Sequence, residues 1–189
     1  FHEEMVIDKP ISFYAATKKS CEEMNHVFHH LYGIKTINLR FFTVYGPRQR
    51  PDLAIRKFTG LIYKKKPVPI YGDGSNQRDF TFIDDIVEGI NNALDYVENS
   101  KEDIYENINL GESETTSVLE MINMIEESLK IKAVKEFQPK QEGDVSITYA
   151  SIDKAKRIIN YKPKTKISEG IKIFTEWFLN EIKLNRLII

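Results

Sequence analysis

A chain of 189 residues is long enough for one domain, or for one domain and part of another. Hydrophobic residues make up 41% of it and charged residues 29%, which is enough for a core and excludes a disordered chain. The 27 Lys and Arg residues are offset by 28 Asp and Glu residues, and the net charge of −1 argues against a nucleic-acid binder.

The cysteine content and the hydropathy pattern exclude further classes of protein. Cys21 is the single cysteine, so an internal disulfide and a cysteine-based zinc cluster are both excluded. No apolar run approaches the roughly 18 residues of a membrane span, and no signal peptide is evident. We therefore expect a cytoplasmic protein without a membrane partner. The chain starts at Phe1 without a methionine, as if the protein were entered partway along.

The first long periodic segment covers residues 14–32. Apolar residues recur there at spacings of three and four, which predicts an amphipathic helix with Ser12 as its N-cap and Gly33 at its C-terminal end. Residues 1–11 are expected to be irregular, and the β-branched and aromatic run at 34–42 predicts a buried strand.

The apolar residues of this helix allow two interpretations. Cys21 is expected to be a small core residue. Met24, Phe28 and Leu31 fit either core packing or an interface with another helix.

The remaining chain alternates predicted helices and short strands, which is typical of an α/β fold. Helices are predicted at about 53–64, 84–97, 118–130 and 168–183, with a short one capped by Asp153. Strands are predicted at 68–71, 80–83, 105–111 and 133–137, and loops at 44–52, 72–79 and 138–151. Ser117 and Glu120 have the spacing of a capping box.

Tyr14 and Lys18 lie four residues apart, on one face of the first helix. A tyrosine hydroxyl is a poor base at neutral pH, but a neighbouring ammonium group stabilises a phenolate. Such a pair can serve as a general acid and base toward a hydroxyl or a carbonyl. The spacing alone also fits an ordinary surface contact, so the flanking sequence decides between the two interpretations.

Four separated motifs occur in one order: PISFYAATK (10–18), LRFFTVYGP (39–47), RDFTFIDD (78–85) and Gly143-Asp144. This order resembles the extended short-chain dehydrogenase/reductases that act on nucleotide sugars. Within that family, YAATKK, RFFTVYGP followed by RPD, and QEGDV are most similar to UDP-glucuronate 4-epimerases.

The resemblance implies an α/β fold with the C-terminal part of a Rossmann-type doubly wound sheet and a smaller α/β substrate-binding lobe. Residues 1–50 would be the last elements of the NAD-binding domain, whose N-terminal half is absent. Residues 51–189 would be mainly the UDP-sugar lobe, with a strand and helix near 80–110 returning to the Rossmann sheet. No G-x-G-x-x-G motif occurs in the chain.

The resemblance also implies roles for residues near the chemistry. Tyr14 would be the catalytic acid and base, and Lys18 would assist it and hold the nicotinamide ribose. Phe42 would lie against the nicotinamide, so that Tyr14, Lys18 and Phe42 would all contact NAD. Thr43 would contact the sugar. The Ser or Thr that assists the tyrosine in this family would precede residue 1.

Three further residues match the nucleotide anchors of the family. Arg78 would lie near the diphosphate, Asp144 near the uridine ribose and Tyr71 beside the uracil. Gln141 stands where many galactose epimerases have arginine, which argues against a galactose epimerase.

Arg50 is the candidate that discriminates among substrates. A 4-ketouronate is a β-keto acid that can lose CO₂, so an epimerase must hold its carboxylate firmly. Bidentate arginine suits a planar carboxylate. Arg50 matches that position of the family, and Arg48 is the alternative.

The implied activity is the interconversion of UDP-glucuronate and UDP-galacturonate through a 4-keto intermediate, in a pathway to surface polysaccharides. The cofactor would be NAD, the partner a second copy joined through helix 14–32, and the chain alone would be inactive. Alternatives are a UDP-glucose 4-epimerase, a UDP-glucuronate decarboxylase, a dTDP-sugar dehydratase, or a non-enzymatic nucleotide-sugar-binding or dimerisation module. His26 and His30 have a spacing that suits metal ligands, but surface or dimer-face histidines are the preferred interpretation and no metal is expected.

Overall fold

The computed structural model describes residues 1–140 and 146–187, which form an α/β fold. The helices are α1 (Phe13–Tyr32), α2 (Ala54–Tyr63), α3 (Ile83–Asn99), α4 (Val118–Leu129), α5 (Asp153–Ile159) and α6 (Ile167–Lys183). The strands are β1 (Thr36–Phe41), β2 (Thr43–Tyr45), β3 (Pro67–Tyr71), β4 (Gln77–Arg78), β5 (Phe80–Phe82), β6 (Tyr105–Leu110), β7 (Thr116–Ser117) and β8 (Val134–Gln138). Within these ranges, no helix has both the length and the apolar character that crossing a membrane requires.

The strands associate in four pairs. Three pairs are parallel, β1 with β6, β2 with β5 and β3 with β8, whereas β4 and β7 are antiparallel. Parallel pairing of strands joined by helices is what an α/β sequence pattern predicts. β1 confirms a strand within 34–42, but Asn38 is its single buried residue, so the prediction of a buried strand was wrong for most of its length.

No strand was predicted from the sequence at the positions of the two-residue strands β4 and β7. Gln77 and Arg78 fall in the predicted loop 72–79, yet they pair with Ser117 and Thr116. Gln77 also forms a parallel bridge with Ile147 from the predicted loop 138–151. These pairings join segments that are far apart in the sequence, so local periodicity does not predict them.

Buried apolar side chains form two clusters. The first joins β2, β3 and β5 to α2, α4 and α6, with Tyr45, Ile62, Ile125 and Phe174 among its buried members. The second lies between β6, α3 and α5 and includes Ile86, Leu110 and Tyr161. The α/β class is confirmed, whereas the division into a cofactor domain and a substrate lobe stays a prediction.

α1 has the predicted caps but a different environment from the one expected. Ser12 Oγ accepts a hydrogen bond from Ala15 N at 3.1 Å, and Gly33 ends the helix with φ of 63°, in the left-handed region that favours glycine. No residue of α1 is buried, and Cys21 is exposed. The prediction that Cys21 is a core residue was wrong, because α1 faces the sheet with polar side chains.

The caps of the later helices were predicted with mixed success. At α4 the Ser117 side chain accepts from Glu120 N, and the Glu120 side chain accepts from Ser117 N, so the capping box is confirmed. At α5 the N-cap is Ile152, which makes no side-chain cap hydrogen bond, and Asp153 is the first helical residue. The negative charge of Asp153 in the first turn still interacts favourably with the helix dipole.

Candidate functional site

The predicted catalytic pair lies in an open cleft of about 510 Å³ between α1 and β1, called here the α1–β1 cleft. Its wall includes Tyr14, Lys18, Glu22, Arg40 and Phe41. Tyr14 is 73% exposed, so its hydroxyl is accessible to a bound molecule.

Polar contacts fix α1 against β1 in an antiparallel direction. Arg40 Nε and Nη2 donate to the two carboxylate oxygens of Glu22 at 2.7 and 2.8 Å. One turn further along α1, Asn25 Nδ2 donates to Asn38 Oδ1 at 2.6 Å, and Asn38 in turn donates to Asn107 Oδ1 at 2.9 Å. Moving toward the N-terminus of α1 therefore means moving toward the carboxyl end of β1.

The antiparallel alignment of α1 and β1 indicates where Tyr14 lies along the strand. Tyr14 lies eight residues before Glu22, about 12 Å along a helix with a rise of 1.5 Å per residue. The same distance along a strand is three to four residues at about 3.3 Å each, counted from Arg40. Tyr14 is therefore level with the junction of β1 and β2, where Phe42 and Thr43 lie.

Three of the predicted substrate residues share a second cleft, of about 240 Å³. Thr43, Tyr71 and Arg78 lie on its wall, and it is called here the Thr43 cleft. Its wall also includes a set of apolar side chains, among them Ile55, Phe58, Phe80 and Met121. The structure thus brings together residues from β2, β3 and β4 that are up to 35 positions apart in the sequence.

Asp79 connects the elements that carry Thr43 and Arg78. Its carboxylate is fully buried and accepts hydrogen bonds from Glu112 N at 2.8 Å, Ser113 N at 3.1 Å and Ala150 N at 3.2 Å, and from the hydroxyl of Thr81 at 3.2 Å. Its backbone carbonyl accepts from Thr43 N at 3.0 Å. Burial raises the pKa of Asp79, and the four donors act in the opposite direction.

Arg50 does not line either cleft as the structure stands. It is exposed, and its Nη2 donates to Asp52 Oδ2 at 2.9 Å. The preceding residue, Gln49, lines the Thr43 cleft while Arg50 itself is exposed, and this position one residue from the cleft wall is called here the rim. Arg48, the alternative, is also exposed and has φ of 68°, an uncommon backbone conformation for a residue other than glycine.

The loop that carries these arginines begins at a glycine that no other residue can replace without strain. Gly46 has φ of 154°, and a Cβ there would lie 2.4 Å from Ile83 Cγ2. The start of the loop is thereby held close to the first residue of α3.

Phe42 is not among the residues that line these two clefts. Phe42 is partly buried between β1 and β2, with its ring centroid 6.4 Å from that of Phe1. Asp144 and Gln141 lie outside the described residues. Among residues 1–140 and 146–187, no group of three or more His, Cys, Asp or Glu side chains is arranged to hold a metal ion.

Two residues that organise the Thr43 cleft were not predicted as part of a site. Asp79 belongs to the RDF motif, and its acidic charge beside a strand was the available signal. Gln49 lies between two arginines in a loop and gave no signal, because its partners are contributed by β2 and α2.

The family model described as GDP-mannose 4,6 dehydratase matches residues 1–174. An uncharacterized protein of Methanocaldococcus jannaschii is 49% identical over 95% of this chain and 53% of its own length. A UDP-glucuronate 4-epimerase of Thermodesulfobacterium geofontis is 42% identical over 97% of this chain and 55% of its own length.

Among solved structures, the UDP-glucuronic acid 4-epimerase of Bacillus cereus in complex with UDP-glucuronic acid and NAD is 38% identical. It superposes with a TM-score of 0.85 over 94% of this chain and 55% of its own. The chain therefore spans about half the length of the relatives it matches.

Proposed function

This chain belongs to the GDP-mannose 4,6-dehydratase family, and on that premise we propose that it is part of a UDP-glucuronate 4-epimerase that uses NAD. The substrate class rests on the similarity to UDP-glucuronate 4-epimerases in both sequence and structure. The reaction would interconvert UDP-glucuronate and UDP-galacturonate.

One observation supports the proposal most directly. The Glu22–Arg40 pair holds α1 antiparallel to β1, and the rise per residue of a helix and of a strand then brings Tyr14 roughly level with the junction of β1 and β2. The proposed acid–base residue and Thr43 would therefore lie at the same end of β1. A sugar that is anchored in the Thr43 cleft and reaches toward Tyr14 would join the two clefts.

Tyr14 and Lys18 fit the nicotinamide end of NAD, because the α1–β1 cleft is open and Tyr14 is exposed. When bound, NAD supplies the acceptor for hydride from C4 of the sugar and returns it to the other face. Tyr14 would take the proton of the 4-hydroxyl, and Lys18, one turn further along α1, would assist it and contact the ribose of the bound cofactor. Phe42, at the junction of β1 and β2, packs on the nicotinamide side.

The Thr43 cleft would hold the rest of the substrate. Arg78 binds the diphosphate, Tyr71 lies beside the uracil, and Asp144 binds the uridine ribose. Thr43 contacts the sugar. These anchors hold the nucleotide while the 4-keto sugar turns, so they belong at a distance from the reacting carbon.

Arg50 would bind the substrate carboxylate. Its position at the rim, beside cleft residues Gln49 and Leu53, supports this role. Its exposed pair with Asp52 is weakly held in water, so a carboxylate of the substrate can replace Asp52 at little energetic cost.

We also propose that the protein is a cytoplasmic homodimer joined through α1. Support comes from the exposed apolar side chains of this helix and, for the location, from the single cysteine.

The proposal predicts the product of the reaction. The complete gene product, supplied with NAD and UDP-glucuronate, is expected to form UDP-galacturonate without a UDP-pentose, as followed by proton NMR. Arg50→Ala is expected to lower kcat/KM on UDP-glucuronate far more than on UDP-glucose. Formation of UDP-xylose would identify a decarboxylase instead, and conversion of UDP-glucose alone would identify a UDP-glucose 4-epimerase.

A further inference from the structure

The loop at residues 46–53 separates the end of β2 from the start of α2 and carries Arg50 at the rim of the Thr43 cleft. α2 begins at Ala54, and its N-cap residue, Leu53, makes no side-chain cap hydrogen bond. The first N–H groups of a helix have no partner inside the helix, so another group must satisfy them. The structure supplies this group from Gln49.

Gln49 connects the two elements through its side chain. Its Oε1 accepts a hydrogen bond from Arg56 N, the third residue of α2, at 3.2 Å. Its Nε2 donates to Val44 O, the middle residue of β2, at 3.0 Å. The side-chain amide of Gln49 therefore caps α2 and links it to β2, the strand that contains Thr43.

The backbone of Gln49 is held as well. Its N–H donates to Gly46 O at 3.1 Å, and its carbonyl accepts from Arg56 Nη1. The Arg56 guanidinium also lies over the ring of Trp177 in α6, 5.6 Å from the ring centroid, which limits its movement. The backbone next to Arg50 is thus fixed at both the amide and the carbonyl of its preceding residue.

We propose that Gln49 is a positioning residue that sets the specificity of the site for a uronate by holding Arg50 at the rim of the Thr43 cleft. This inference rests on the proposed function, because it takes Arg50 as the residue that binds the substrate carboxylate. Arg50 is exposed and long, so its side chain alone does not define a carboxylate site. A fixed backbone reduces the ordering that binding requires.

The inference predicts a loss of preference for the uronate over the neutral sugar that exceeds any change in nucleotide binding. The test measures dissociation constants of UDP, UDP-glucose and UDP-glucuronate by calorimetry, with the complete gene product in a Tyr14→Phe background, in which turnover of the sugar is expected to be slow. Gln49→Met keeps the volume of the side chain and removes its donor and its acceptor. It is expected to reduce the preference for UDP-glucuronate over UDP-glucose roughly threefold to tenfold, a change in the ratio of the two dissociation constants beyond any change in the affinity for UDP.

A double-mutant cycle separates this role from general support of the fold. If Gln49 acts through Arg50, Gln49→Met in an Arg50→Ala background is expected to change the preference no further. Gln49→Glu is a second variant that keeps the acceptor for Arg56 N and loses the donor to Val44 O, and it is also expected to reduce the preference. Asn91→Ala, at an exposed position on α3, is the matched control.

Each outcome decides the question. A Gln49→Met protein that folds with full preference, or that loses affinity for UDP and both sugars equally, overturns the positioning role. Additive effects of Gln49→Met and Arg50→Ala also overturn it. If Gln49→Met does not fold, Gln49→Glu takes its place. Full preference of Gln49→Glu for UDP-glucuronate over UDP-glucose then overturns the positioning role, and a reduced preference supports it. If the protein with Gln49 and Arg50 unchanged binds UDP sugars without preferring the uronate, the proposal that UDP-glucuronate is the substrate is wrong, and the inference fails with it.

Discussion

At the scale of single residues, the pairing of Glu22 with Arg40 holds α1, the helix that carries Tyr14 and Lys18, against β1. Both side chains are largely buried, 14% and 20% exposed, and the contact is bidentate. The hydrogen bond from Arg40 lowers the pKa of Glu22 below its ordinary value of 4.5, although burial acts in the opposite direction. A group with a lowered pKa in the folded state stabilises the fold when it is ionised.

The pair predicts a pH dependence of stability. The contribution of Glu22 is present in full above pH 4.5 and is lost as the pH falls through the lowered pKa of the folded state. Glu22→Gln is expected to lower the free energy of unfolding by about 1–2 kcal/mol at pH 7. The difference from the unsubstituted protein is expected to shrink as the pH falls through the lowered pKa of Glu22, and urea denaturation at pH 7 and pH 3 measures it.

The matched control for this prediction is Glu23→Gln. Glu23 pairs with Lys19 at 2.8 Å but is 65% exposed, so its replacement is expected to have little effect at either pH. A loss of stability in Glu22→Gln that is the same at pH 7 and pH 3 would contradict the electrostatic explanation.

Sequence patterns predict residues whose chemistry is local and miss those whose partners are distant. Tyr14 and Lys18 could be predicted as a pair because they are close in sequence and the motif around them, PISFYAATK, resembles that of a known family, whereas their spacing alone also fits a surface contact. Asp79 received no role because its donors come from positions 81, 112, 113 and 150. Cys21 was misplaced because a helical apolar stripe does not say whether the surface facing it belongs to the same chain.

At the scale of elements, α1 has two different faces. Glu22 and Asn25 point to the sheet, whereas Met24, Phe28 and Leu31 are 60%, 50% and 62% exposed. At about 100° per residue, the exposed stripe is centred more than 120° round the helix from the polar one. Apolar residues at spacings of three and four on an exposed helix are typical of a helix–helix interface.

This stripe predicts the oligomeric state. The parent protein is expected to sediment as a dimer, and Leu31→Glu is expected to sediment as a monomer, because the new charge would be buried in the interface without a partner. Val134→Glu, at an exposed apolar position on β8, serves as the control and is expected to remain a dimer. A monomeric parent protein, or a dimeric Leu31→Glu variant, would contradict an interface through α1.

The helices and longer strands were predictable because burial on one face leaves a period in the sequence. The predicted helix 168–183 is observed as Ile167–Lys183, and the predicted strand 105–111 as Tyr105–Leu110. β4 and β7 have two residues each, too few to show a period. Their existence depends on Asp79 and its partners bringing the segments together.

At the scale of the whole molecule, the antiparallel alignment of α1 and β1 relates the two clefts to each other. The α1–β1 cleft holds the acid–base pair, and the Thr43 cleft collects residues from β2, β3 and β4. The function proposed here requires that both act on one substrate. A sugar-nucleotide binding module without chemistry would need the Thr43 cleft and would not need Tyr14.

Replacement of Tyr14 is the measurement that tests this requirement most directly. With the complete gene product, NAD and UDP-glucuronate, Tyr14→Phe is expected to reduce turnover by about 10²–10⁴-fold, the usual contribution of a general acid–base group. The dissociation constant for UDP-glucuronate is expected to stay within about twofold, because in the proposed site the hydroxyl would contact the reacting sugar and not the nucleotide. Turnover at the parental rate in Tyr14→Phe, or no turnover in the parent protein, would contradict the account.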